Sequence, residues 1–130
     1  MANPTLKRPI SPHLQIYKPQ LTSGLSILNR VTGVGIGFGL LFMLLWLGAA
    51  AYGPETYAAI YPFLTSWFGW LVCFGVSAIF YYHFFNGIRF MFWDLGYGFE
   101  MSKVVAGGIT MLLFAFGATV LTWGVVLLLI

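Results

Sequence analysis

Three ionisable side chains stand near the end of the second long apolar run of this chain. His83, Arg89 and Asp94 occur in a segment that is otherwise rich in phenylalanine, tyrosine and tryptophan. An ionisable group at membrane depth is costly unless it faces protein, water or a cofactor, so each is a functional candidate. Gly87 follows His83 by one helical turn and would leave room for a flat ring beside the imidazole. This arrangement is the one that an axial haem ligand needs.

The same histidine also fits a purely structural role, in which it forms a hydrogen bond and packs between helices. The only other histidine is His13, in the N-terminal segment, so a haem with two imidazole ligands would need one from another subunit. Arg89 lies six residues after His83, which is about 120° around a helix, so the two side chains cannot share one narrow contact. We expect Arg89 closer to the surface, where it neutralises a propionate, pairs with Asp94 or meets a lipid phosphate.

The composition excludes a water-soluble globule. Of the 130 residues, 60% are hydrophobic and 7% are charged, whereas about a quarter of the residues are charged in soluble domains. Three apolar runs, at about 31–52, 63–93 and 104–130, meet the length of roughly 20 residues that a transmembrane helix requires. The prediction is an all-α membrane protein, with three transmembrane helices in a domain over 21–130. Four prolines in residues 1–20 predict an extended N-terminal arm.

Basic residues are confined to one side of the predicted spans. All six lysines and arginines precede the first span or lie near the connection between the second and third, and the connection over 53–62 carries only Glu55. The positive-inside rule therefore places the N-terminus in the cytoplasm, or in the mitochondrial matrix. The net charge of +3 is explained by this topology, since no basic patch interleaved with aromatic residues indicates a nucleic-acid partner.

Polar residues and glycines share one face of the first predicted helix. Ser26, Arg30, Gly33 and Gly37 are spaced by four, three and four residues, so they follow one side of the helix. Close helix packing is a sufficient explanation for the glycines alone. The hydroxyl and the guanidinium at the membrane edge favour a contact with a ligand or a partner. We expect one helix to run through both residues into the first span.

Two motifs in this order resemble the cytochrome b anchor subunit of succinate dehydrogenase. The first is Ser-Ile-Leu-Asn-Arg-Val-Thr-Gly at 26–33, preceded by Arg-Pro at 8–9 and by Ser-Pro-His-Leu-Gln-Ile-Tyr at 11–17. The second is His-x3-Gly-Ile-Arg-Phe-Met-x-Trp-Asp-x-Gly at 83–96. The resemblance covers nearly the whole chain.

The chain departs from the family pattern at two positions. Asn29 stands where the family usually has a histidine close to a haem propionate, which puts that contact in question but not the ligation of iron. Phe90 replaces a second histidine that is frequent after the arginine, and it is an accepted variant.

The resemblance implies one of two small anchor subunits in a heteromeric helix bundle that holds a flavoprotein and an iron–sulfur protein on the membrane. His83 then corresponds to one axial ligand of a haem b shared with the partner anchor, which supplies the second histidine. Ser26 and Arg30 correspond to residues of the ubiquinone pocket, and Arg30 could also reach a haem propionate. The serine hydroxyl would bond a quinone oxygen, and the guanidinium would stabilise the negative charge that develops there on reduction. Succinate is oxidised in a different chain, so this chain alone is not expected to catalyse a reaction.

Several alternatives stay open from the sequence. Asp94 would deliver protons to the reduced quinone or would form a salt bridge with Arg89 or Lys103. The same architecture also serves a quinol:fumarate reductase, and a haem-free structural anchor would use His83 only for packing. A small transporter is disfavoured because 104–130 contains no ionisable residue. A bacterial inner membrane is favoured over a mitochondrial one, because the arm lacks the Arg- and Ser-rich helix of a transit peptide.

Overall fold

The computed structural model describes residues 18–129, and over this range the chain forms four α-helices and no strand. Three of the helices are long and apolar enough to cross a membrane, and the short α2 is not among them. The prediction of an all-α membrane protein with three spans is therefore confirmed. The predicted N-terminal arm lies outside the described residues, apart from its last three. The helices are α1 (Leu21–Tyr52), α2 (Pro54–Thr65), α3 (Trp67–Asp94) and α4 (Met101–Leu129).

The first helix is longer than the hydrocarbon core of a bilayer. It contains 32 residues, and a helix of this size is about 48 Å long, against roughly 30 Å for the core. It runs without interruption through Ser26 and Arg30, as expected, so both residues lie in the turns that precede the apolar segment. The helix therefore carries its polar residues to the membrane edge.

The connection between the first two spans differs from the prediction. The segment 53–62, expected as a loop, is mostly the helix α2. Gly53 makes the turn that enters it, with φ 121°, a value that a residue with a side chain rarely adopts. The third helix then begins at Trp67, whereas the apolar run begins at residue 63. Ser66 separates α2 from α3, because its hydroxyl oxygen accepts a hydrogen bond from the Gly69 amide at 3.0 Å and so caps the new helix.

A small buried core joins α1, α3 and α4. Leu25, Tyr82, Met111 and Ala115 form it. The Tyr82 hydroxyl donates a hydrogen bond of 2.8 Å to the Leu25 carbonyl and so links α3 to α1. A Cβ atom at Gly108 would lie 2.8 Å from the Leu25 side chain, so glycine there allows α1 and α4 to approach closely.

Two polar contacts join α3 to α4 farther along the pair. The Trp123 indole donates to the Ser77 hydroxyl oxygen at 2.8 Å, and the Tyr81 and Thr122 hydroxyls are 2.8 Å apart. Hydrogen bonds of this kind stabilise helix pairs in an apolar environment. The two helices are therefore held together both at the core and near their other end.

The lysines and arginines among the described residues share one end of the bundle. It contains the N-terminus of α1, the C-terminus of α3 and the N-terminus of α4, and it is called the basic end below. Its cations are Lys18, Arg30, Arg89 and Lys103.

Candidate functional site

His83 lies on the side of α3 that faces α1. Its Nδ1 atom is 3.4 Å from the Thr32 hydroxyl oxygen. A Cβ atom at Gly33 would lie 3.3 Å from Cε1 of the imidazole, so the ring rests against the bare backbone of this glycine. The side chain is half-buried. Two consecutive residues of α1 therefore position the imidazole, one through a polar contact and one by lacking a side chain.

The hydrogen bonds of Thr32 favour one tautomer of His83. The Thr32 hydroxyl donates to the Leu28 carbonyl at 2.7 Å, with the Asn29 carbonyl 3.1 Å away. Its hydrogen is used in this way, so the hydroxyl oxygen can only accept from His83. The contact therefore favours the tautomer with the proton on Nδ1, which leaves the lone pair on Nε2. A neutral imidazole in this state can ligate a metal.

The surface beside His83 is open and aromatic. A Cβ atom at Gly87 would meet nothing within 4 Å, so the sequence prediction of free space one turn from the histidine agrees with the geometry. Phe80 and Phe84 stack on each other along this surface, with centroids 6.2 Å apart and planes at 16°. Both rings are about half exposed in the chain alone, at 50% and 51%. An imidazole with a free lone pair, room beside it and exposed aromatic rings fits a flat, apolar macrocycle with a metal at its centre.

Ser26 and Arg30 follow each other by one turn on α1, near the basic end. Both are exposed. Asn29 is half-buried beside them, and its Oδ1 atom has no hydrogen-bond partner within residues 18–129. These three residues precede Thr32 and Gly33 on the same helix, so α1 carries a polar surface next to the contacts of His83.

Arg89 is buried inside the protein, close to the end of α3. It is 9% exposed, and one terminal nitrogen donates to the Val104 carbonyl of α4 at 3.0 Å. The other is 3.5 Å from Oδ1 of Asn86, and the guanidinium carbon lies 4.2 Å from the centre of the Trp93 ring. The side chain therefore packs in the α3–α4 interface, away from the side of α3 that holds His83. The reason is that six residues turn the helix by about 120° past the histidine.

Asp94 is exposed at the last position of α3. Neither predicted salt bridge, with Arg89 or with Lys103, forms among residues 18–129. Lys103 instead pairs with Glu100 at 3.0 Å, one turn before it in the chain. The nearer acidic residue is a more accessible partner, since it lies beside the start of the same helix as the lysine.

Sequence reasoning missed three residues that shape this region: Thr32, Tyr82 and Asn86. Thr32 appears in the sequence only as part of the first motif, although it lies three residues after Asn29 and therefore on the same side of α1 as that polar residue. Asn86 is fully buried at 0% exposure and meets Arg89. The sequence indicates Asn86 only through an amide side chain within an apolar run, three residues after His83 and three before Arg89.

Comparison with known proteins identifies the family. A family model described as the transmembrane subunit of succinate dehydrogenase/fumarate reductase matches residues 4–122. The chain belongs to this family. The match includes both the polar surface of α1 and the segment around His83, so the residues described above are part of the shared sequence.

Individual members of this family align over most of the chain. The succinate dehydrogenase cytochrome b556 subunit of Rickettsia conorii is 42% identical over 118 residues, which are 90% of this chain and 91% of that protein. The succinate dehydrogenase cytochrome b560 subunit of Marchantia polymorpha is 42% identical over 113 residues, 82% of each chain. The cytochrome b556 subunit of Paracoccus denitrificans is 36% identical over 96 residues, 74% of each chain. These relatives are subunits of an oxidoreductase complex, and the resemblance inferred from the two motifs is confirmed.

Proposed function

We propose that this chain is a membrane anchor of a succinate:quinone oxidoreductase, in which His83 supplies one axial ligand of haem b. The contact between Thr32 and His83 carries the proposal. A hydroxyl whose own hydrogen is bonded elsewhere holds the Nδ1 proton and leaves the Nε2 lone pair for iron. The names of the relatives support it, since they describe cytochrome b556 and b560 subunits.

The second axial ligand comes from another chain. Only His13 and His83 occur in the sequence, and His13 is far from the apolar runs. The open surface around Gly87 and the exposed rings of Phe80 and Phe84 suit a partner helix that brings a histidine to the other side of the macrocycle. We therefore infer that a second small membrane-anchor subunit shares the haem.

A bound haem b stores and passes single electrons at a potential that its ligands and surroundings set. The residues of this chain do three things at that site. Thr32 orients the imidazole, Gly33 lets it lie close to α1, and the phenylalanines keep water from the ring. The guanidinium of Arg89 bonds the Val104 carbonyl of α4, which disfavours the contact with a propionate that the sequence suggests.

Ser26 and Arg30 form this chain's share of a ubiquinone site. Their exposure at the basic end leaves the hydroxyl and the guanidinium free to meet a quinone carbonyl, and a positive charge there stabilises reduction of the oxygen. Asn29 adds an amide whose oxygen has no partner within residues 18–129, which supports a contact with a group outside this chain. The iron–sulfur subunit would complete the pocket and receive its electrons from the flavoprotein subunit.

Succinate oxidation is favoured over fumarate reduction, because the relatives cited above are named as subunits of succinate dehydrogenase. A fumarate reductase anchor would use the same fold, and the direction is decided by cofactor potentials and quinone type. The basic end faces the cytoplasm of a bacterium, by the positive-inside rule. Asp94 at this end would pass protons to the reduced quinone.

A dithionite-reduced minus oxidised spectrum of the purified complex tests the haem assignment. We expect a b-type α-band in the wild type and its loss in His83→Ala, with all subunits still present on a gel. Phe92→Ala, on the opposite side of α3, serves as the control and should keep the band. A full band in His83→Ala would refute ligation by this residue, and a wild-type complex without a band would leave only the role of a haem-free anchor.

Quinone reduction by succinate tests the second site. Ser26→Ala and Arg30→Gln should lower the rate with ubiquinone at least tenfold, while succinate oxidation with a soluble dye and the haem band stay unchanged. Ser23→Ala removes an exposed hydroxyl one turn earlier on α1 and should leave the rate as it was. Equal rates in all four proteins would contradict a quinone role for this surface.

A further inference from the structure

A groove lies between α3 and α4 at the basic end. Its volume is about 580 Å³. Phe85, Phe92 and Phe114 form the apolar part of its wall, and Arg89 and Lys103 contribute the only charged groups to it. The groove is therefore apolar along most of its length. At one end it has the buried guanidinium of Arg89 and the exposed ammonium of Lys103, which also pairs with Glu100 at 3.0 Å.

The groove is separate from the proposed haem site. Phe92 lies nine residues after His83, which is about 180° around the helix. His83 faces α1 through Thr32, whereas Phe92 lines a cavity that α4 closes. A ligand in the groove would therefore lie on the opposite side of α3 from the imidazole.

Arg89 is a buried cation without an anionic partner among residues 18–129. Its terminal nitrogens bond a carbonyl and approach an amide, and its Nε atom has no hydrogen-bond partner there. Gly107 borders the groove next to it, since a Cβ atom at this glycine would lie 3.8 Å from Nε. A charged group at membrane depth is stabilised by an opposite charge. The site therefore lacks an anion that could enter over the bare backbone of Gly107.

The depth of Arg89 suits the head group of a lipid. It lies five residues before Asp94, the last residue of α3, or about 7.5 Å from the helix end. Trp93 and Tyr97 line the same end of the groove, and these residue types are enriched where the hydrocarbon meets the head groups. The phenylalanines lie deeper, where acyl chains would be.

We propose that this groove binds an anionic phospholipid of the cytoplasmic leaflet. The phosphate would lie between Arg89 and Lys103, and an acyl chain would follow the wall formed by Phe85 and Phe114. Basic pockets between transmembrane helices on this side of a membrane are suited to acidic head groups. The apolar wall distinguishes this site from one for free phosphate, which would gain nothing from it.

Native mass spectrometry of the assembled complex tests the proposal. The complex is exchanged into detergent with equal amounts of phosphatidylglycerol and phosphatidylcholine, and the retained lipids are counted. We expect the wild type to retain phosphatidylglycerol preferentially. Gly107→Leu should reduce that retention at least fivefold, because its side chain fills the approach to Arg89. Gly117→Leu makes the same change on α4 at a glycine with nothing within 4 Å, and it should retain the lipid as the wild type does.

Lys103→Gln provides a second test that does not depend on packing, since the Lys103 side chain is 61% exposed. It should lower the preference for phosphatidylglycerol over phosphatidylcholine. Equal retention by the wild type and Gly107→Leu, or no preference between the two lipids, would overturn the proposal. Displacement of the lipid by excess inorganic phosphate would overturn it as well, because it would indicate a site for the free anion.

Discussion

The two faces of α3 use polar residues for different purposes. On the inner face, Tyr82, Asn86 and Arg89 are all buried, and two of them bond backbone carbonyls of α1 and α4. On the open face, His83 has a single polar contact of 3.4 Å, beside half-exposed phenylalanines and a glycine with free space. The inner face holds this chain together, whereas the open face carries a histidine that α1 positions on one side only, next to aromatic rings that this chain leaves half exposed. A polar residue in a membrane helix is therefore a functional candidate only after its own chain's contacts have been considered.

The largest effect should follow from filling the space next to His83. In Gly33→Leu the new side chain begins 3.3 Å from the imidazole, so it must displace the ring from α1. We expect the haem content of the purified complex to fall at least tenfold, measured by the pyridine haemochrome assay. Gly48→Leu, on the same helix with nothing within 4 Å, should keep its haem. Normal haem content in Gly33→Leu would show that haem binding does not require the imidazole to lie against α1.

The next largest effect should come from the inner face. Arg89→Leu removes the hydrogen bond to Val104 and the contact with Asn86, and a hydrogen bond from a charged group contributes about 1.5–3 kcal/mol. We expect the thermal midpoint of the complex, measured by fluorescence-detected size exclusion, to fall. The folded fraction should keep its b-type band. Phe84→Ala on the open face should move the midpoint less. Loss of haem without loss of thermal stability in Arg89→Leu would contradict the assignment of Arg89 to the face that holds this chain together.

A smaller effect should follow from the residue that orients His83. Thr32→Val keeps the shape of the side chain but removes the acceptor for the Nδ1 proton. One hydrogen bond contributes about 0.5–1.5 kcal/mol, and about 59 mV corresponds to a tenfold change for one electron. The haem midpoint potential should therefore shift by roughly 20–60 mV in a redox titration. Thr32→Ser retains the hydroxyl and should stay within a few millivolts of the wild type, and a shift of equal size in both variants would exclude the hydrogen bond as the cause.

The smallest effect on stability should come from Asp94. The carboxylate is exposed and forms no ion pair within residues 18–129, so Asp94→Asn should change the free energy of unfolding by about 0.5 kcal/mol or less. If Asp94 passes protons to the quinone, the same variant slows succinate:ubiquinone reductase activity and leaves succinate oxidation by a dye unchanged. Glu100→Gln, at an acidic residue of the same end that pairs with Lys103, is the matched control. Equal rates in both variants and the wild type would remove Asp94 from the proton path.

The three spans and their order followed from hydropathy and length, because a bilayer requires long uninterrupted apolar helices. The short α2 does not follow from hydropathy, since a helix that does not cross the membrane has no such requirement and its 12 residues are too few to form a span. The predicted span begins four residues before α3 for a related reason. The apolar run passes through Ser66, and only the hydrogen bond from Gly69 to its hydroxyl ends one helix and begins the next.

The sequence by itself determined the family, the three spans and the set of polar residues that could do chemistry. These depend on residue type and spacing along one chain. The tertiary structure decided which of them are free to act. It assigned Arg89 to the interface with α4 and brought Thr32 to the imidazole across 51 positions of sequence. Such contacts join residues of different helices, so they depend on how the helices pack, which no local pattern of residues encodes.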